Sequence, residues 1–96
     1  MVAQVASERE RELCALRAMA AEGLPVEAWP SAANFVLVRT SHATRVRERL
    51  RGEYSILVRD FSYALGLADC LRITVGTPQE NDEVLAAFAA LVKEEM

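Results

Sequence analysis

One stretch constrains this chain more than any other: a strand that runs directly into a capped helix. Along Cys70-Leu71-Arg72-Ile73-Thr74-Val75, residues Leu71, Ile73 and Val75 face one way and Cys70, Arg72 and Thr74 the other. Gly76 breaks the alternation. Thr77 can then cap a helix, Pro78 suits its first position, and Glu80 completes a capping box. The helix that follows carries Val84, Leu85, Phe88, Leu91 and Val92 on one stripe. A stripe this wide needs a sheet to cover, so helices layered on strands are the expected architecture.

The rest of the chain fits that plan. Val2 to Glu22 has no proline or internal glycine and is rich in good helix formers. Leu13, Leu16, Ala20 and Leu24 fall near one face, Glu8 and Glu12 can pair with Arg9 or Arg11 on the wet side, and Gly23 and Pro25 end the helix. Val26 to Ser31 is extended or looped, with Trp29-Pro30 disfavouring helix. Asn34 to Val38 is an apolar run expected in the middle of a sheet. Thr40 and Ser41 offer caps for a second helix, lined by Ala43, Val46 and Leu50 and ended by Gly52. Ser55 to Arg59 reads as a further strand built on Ile56-Leu57-Val58, and Phe61 to Asp69 as a loop. The last two strands can pair antiparallel across that connection. The expected fold is one α+β domain over 1–96. It is a two-layer α/β sandwich with a small mixed sheet of about three to four strands and helices mainly on one face.

Composition narrows the function. At 96 residues there is room for one core, and an apolar share of 52 % with 26 % charged residues is globular. The length excludes most self-sufficient enzymes that enclose a large cofactor. A net charge of −3 leaves no basic surplus for a nucleic-acid backbone, and Arg45, Arg47, Arg49 and Arg51 read as a solvated helix face among Glu48 and Glu53. No apolar run reaches membrane-spanning length, and the N-terminus lacks a secretory pattern, so a cytoplasmic protein is expected. Cys14 and Cys70 are too few and too distant for a zinc site, even with His42, and read as reduced, partly buried thiols. No metal is expected.

No phosphate loop, dinucleotide fingerprint or nucleophile elbow is present. Lys93 is the chain's single lysine. It sits among Glu94 and Glu95 near a helix end, where a solvated lysine is favourable and a Schiff-base lysine is not. Two arginines remain. Arg72 lies within the alternating strand and Arg59 closes the one before it, and a guanidinium held on a strand suits bidentate recognition of carboxylate or phosphate. The plainer reading is a surface ion pair, Arg59 with Asp60 or Arg72 with Asp69. Asn34, where a strand begins, is ordinarily a turn residue.

The stretch Cys70-Leu71-Arg72-Ile73-Thr74-Val75-Gly76-Thr77-Pro78-Gln79-Glu80-Asn81-Asp82 closely resembles the C-terminal signature of histidinol-phosphate aminotransferases. These are pyridoxal-phosphate enzymes of the aspartate aminotransferase fold. Glu8-Arg9-Glu10-Arg11, Ser31-Ala32-Ala33-Asn34-Phe35-Val36-Leu37-Val38 and Val58-Arg59-Asp60-Phe61 resemble three further pieces of that family, in the same order. The resemblance spans essentially the whole chain. It implies the small C-terminal domain of a fold-type I enzyme, with 1–22 as its interdomain-type helix. It also implies that Arg72 binds the substrate α-carboxylate and that Arg59 lies near the substrate phosphate, with Asn34 a weaker third candidate. The family's cofactor lysine and phosphate-binding residues belong to a large domain without counterpart here, so no catalytic and no cofactor-binding residue is assigned.

The expected function is therefore that of a truncated small-domain fragment, inactive alone. The family reaction is transamination between histidinol phosphate and 2-oxoglutarate in histidine biosynthesis. The alternative is a non-catalytic module that binds a small phosphorylated amino alcohol or carboxylate, or that complements a separate large aminotransferase domain. A homodimer is also expected, because apolar surface near Val2, Val5 and Trp29 would otherwise be exposed.

Overall fold

The alternating and striped segments assemble as three helices against one sheet. The computed structural model describes residues 2–32, 34–60 and 68–95, the side chains of 2–5 and 30–32 excepted. The elements are α1 (Val2–Ala21), β1 (Val26–Ala32), β2 (Phe35–Thr40), α2 (Ala43–Tyr54), β3 (Arg59–Asp60), β4 (Cys70–Thr74) and α3 (Pro78–Glu94). The strands lie in the order β1-β2-β4-β3, and all three ladders are antiparallel. The layered α+β architecture is as expected, while the sheet is antiparallel where a mixed one was expected.

The register assigns the two faces. Val36 opposes Ile73, Val38 opposes Leu71, and Val26 opposes Thr40. These six residues are buried, and they share one core with Leu13, Leu16, Val46, Leu50, Leu85, Phe88, Leu91 and Val92 of the helices, Thr40 excepted. The intervening residues Phe35, Leu37 and Arg39 are only half-buried and form the other face with Trp29 and Arg72. Fully burying a leucine- or valine-sized side chain contributes about 1.5–3 kcal/mol, so the helix-covered face carries most of the fold's stability.

Several local expectations are corrected. β1 takes the extended of its two expected forms, a full strand despite Pro30, because it lies at the sheet edge, where a missing N–H is tolerated. α2 runs through Gly52 to Tyr54 and stops at Ser55, which takes a left-handed conformation at φ 56°. Its first cap is His42, at φ 57° and without a side-chain cap bond, in place of Thr40 or Ser41. Ile56-Leu57-Val58 does not form the body of a strand: β3 is only two residues long, and Leu57 is 78 % exposed. Met19, not Ala20, completes the buried stripe of α1. Glu12 is fully buried in that stripe, where a wet-side ion pair was expected. Val2 and Val5 lie outside the described side chains, as residues 61–67 of the expected loop lie outside the described residues.

Two polar features fix the end of β4. The Thr77 hydroxyl accepts from the Glu80 N–H and the Glu80 carboxylate from the Thr77 N–H, as the capping-box spacing requires. That bond holds the Glu80 carboxyl below its usual range. A Cβ on Gly76 would stand 2.6 Å from Glu80 Oε1, so the box needs glycine there. Asn81, also buried, takes the Gly76 N–H on Oδ1 at 2.8 Å and donates through Nδ2 to Gly76 O and to Glu8 Oε1. Glu8 also accepts from Arg11, and both donors lower its pKa. One buried amide thus joins α1, α3 and the strand that carries Arg72.

Candidate anion site on the open sheet face

Arg59 stands directly opposite Arg72 in the β3–β4 ladder, and Leu37 flanks Arg72 on the β2 side. Residues opposed in a ladder share a face, so both guanidinium groups emerge from the side away from the helical core. Trp29 opposes Leu37, which gives one continuous row, Trp29, Leu37, Arg72, Arg59, across four strands. Arg72 is half-buried and Arg59 exposed. Like charges opposed in a sheet repel, and an anion between them turns that repulsion into two charge-assisted contacts. Two cations on one face are the donor type that a carboxylate or phosphate accepts from.

Aromatic rings accompany the cations. The Arg72 guanidinium lies over the Phe35 ring, 4.0 Å from its centroid, and Arg39 over Trp29 at 5.4 Å. Arg39 is also tied down by a 3.2 Å bond to Ala68 O and by Glu27 at 3.7 Å. Asn34 lies apart from the arginine row. Its backbone oxygen accepts from the Val75 N–H at 2.8 Å and its side chain is exposed, which is a ladder role. Sequence reasoning missed Phe35, although its spacing two residues before Leu37 already placed both on one face.

Ion pairs on the helical side tie α2 to α3. Arg49 bonds Glu53, Glu94 and Glu95, and Arg45 bonds Glu95, which pins the end of α2 to the end of α3. Cys14 is exposed and Cys70 buried, both free thiols, so only Cys70 is buried as expected. Among the described residues there is no cluster that could hold a metal ion and no helix long and apolar enough to cross a membrane. Lys93, the chain's single lysine, is exposed near the end of α3. A pyridoxal-phosphate aldehyde needs a lysine sheltered in a pocket, so the residues present do not fit that cofactor.

No family model matches the sequence. Among solved structures, a putative aminotransferase from Burkholderia pseudomallei is 34 % identical, with a TM-score of 0.77 over 94 % of this chain and 26 % of that one. A histidinol-phosphate aminotransferase from Sinorhizobium meliloti, solved in complex with pyridoxal-5'-phosphate, has a TM-score of 0.78 over 97 % of this chain at 23 % identity. The antiparallel sheet with helices on one face is thus the fold of an aminotransferase small domain. Among curated proteins, histidinol-phosphate aminotransferase 2 of Cupriavidus pinatubonensis is 40 % identical over 95 residues, and that of Aquifex aeolicus 41 % over 93. These matches cover 94 % and 96 % of this chain but 26 % and 25 % of the relatives. The chain belongs to the histidinol-phosphate aminotransferase family and spans about a quarter of the length of the relatives it matches.

Proposed function

We propose that this chain is the substrate-gripping portion of a histidinol-phosphate aminotransferase, with Arg72 as the principal anion ligand and Arg59 as the second. The register that sets Arg59 opposite Arg72 on the face away from the described helices carries this reading. A guanidinium orients a carboxylate or phosphate but moves no electrons, so transamination requires pyridoxal phosphate as electron sink. That cofactor and its lysine reside in a large aminotransferase domain that works with this chain, and the chain alone is inactive. The open face, with Trp29, Phe35 and Leu37 half-buried, is also the surface through which the chain self-associates or meets that domain. The setting is cytoplasmic, in keeping with two free thiols.

Titration of L-histidinol phosphate into the chain, followed by NMR, tests the reading. Shifts centred on β3 and β4 are expected, lost in Arg72→Ala and weakened in Arg59→Ala. Equal shifts in all three proteins overturn it. Turnover of histidinol phosphate by the chain with added pyridoxal phosphate and 2-oxoglutarate would overturn the division of labour. A mass by light scattering that stays monomeric at every concentration would remove self-association.

A further inference from the structure

Arg59 and Arg72 face each other across one ladder, and mutual repulsion drives their flexible side chains apart. Arg72 also has a neighbour on the β2 side. Phe35 opposes Thr74, two residues beyond Arg72 on the same face, so the 4.0 Å stack draws the guanidinium along β4 toward Thr74. A ring beneath one face of the guanidinium restricts its rotation, and the Arg72 Nε–H is buried. Such stacking suits arginine because the group is planar and weakly hydrated.

The contrast with Arg39 sharpens the point. Arg39 stacks on Trp29 but also bonds Ala68 O and lies beside Glu27, so its stack belongs to a structural tie. Arg72 differs in its register: the residue that makes this ring contact is the one paired with Arg59. We infer that Phe35 is a positioning residue, whose ring holds the Arg72 guanidinium in the plane in which it receives a carboxylate or phosphate. This rests on the reading of Arg72 as the anion ligand.

The test uses the intact chain with inorganic phosphate and L-histidinol phosphate as probes. Phe35→Leu keeps apolar volume and removes the ring, and Phe35→Tyr restores it. The Arg72 Nε–H resonance of the wild type is expected upfield, from the ring current. In Phe35→Leu it moves downfield and affinity for both probes falls roughly threefold to tenfold, with Phe35→Tyr returning both toward wild type. Trp29→Leu leaves both unchanged. The inference alone is overturned if Arg72→Ala abolishes binding while Phe35→Leu keeps the wild-type affinity. It is equally overturned if the upfield resonance survives without the ring. If Arg72→Ala binds both probes as the wild type does, the anion site falls and Phe35's role with it.

Discussion

The two faces of the sheet divide the molecule's work. On one, Val36, Val38, Leu71 and Ile73 are sealed beneath α1, α2 and α3, with at most 1 % of each exposed. On the other, Trp29, Leu37, Phe35 and Arg72 stay half-buried, and Arg59 is open. Successive residues of the same strands serve the two faces, so a single register error would exchange core for site. The helix face holds the fold, and the second face is free to carry cations that a core could not accept.

The largest way to break this comparison is a deletion on the sealed side. Phe88→Ala is expected to cost about 3–5 kcal/mol and Leu71→Ala about 2–5, measured by urea unfolding, whereas Leu37→Ala on the open face costs well under half as much. Equal losses on both faces would erase the distinction.

Glu12 is the next test, because it is an acid inside the sealed layer. Its carboxyl oxygens have no hydrogen-bond partner, and burial pushes its pKa up to about 7. A folded pKa above the unfolded one means that folding favours the protonated acid. This contribution is harmless below about pH 4.5, grows as pH rises, and levels off above about pH 7 with roughly 3 kcal/mol lost. Glu12→Leu is expected to be more stable at pH 8 and to flatten the pH dependence between 4.5 and 7. A wild-type stability that rises across that range would contradict the buried, neutral acid.

Smaller effects follow at the boundary between the layers. Thr77→Ala, which removes the cap, is expected to cost about 1 kcal/mol. Gly76→Ala forces the Glu80 carboxylate from its bond to Thr77, so it and Thr77→Ala should not be additive in a double-mutant cycle. The smallest change in stability is expected for Arg59→Ala, within about 0.5 kcal/mol, with weakened phosphate binding as its readout.

What was legible in the sequence had a local cause. β4 and α3 could be read outright, because alternation, the capping box and the apolar stripe each need only a few neighbouring residues. β1 was obscured by Trp29-Pro30, and only its position at the sheet edge makes that pair acceptable. The truncation of β3 and the exposure of Leu57 depend on how α2 ends, at Ser55, where nothing in the residue type announces a left-handed turn. Glu12 was read as wet because of its charge, although it shares the helical spacing of Leu16 and Met19 that buries it. As for the site, the family motifs pointed to Arg72 and Arg59 one at a time. Their juxtaposition is a long-range register, and the ring beneath Arg72 comes from a third strand.

The Asn81 clasp also sets a timetable for synthesis. Glu8 leaves the ribosome 73 residues ahead of the amide it binds. β2 likewise waits for β4, its neighbour in space but not in sequence. Contacts this far apart along the chain close late and slowly. The first helix therefore waits through the synthesis of these intervening residues without its polar partner, with the buried side of Leu13 and Leu16 uncovered, and a nascent chain stalled before Gly76 would be a target for chaperones.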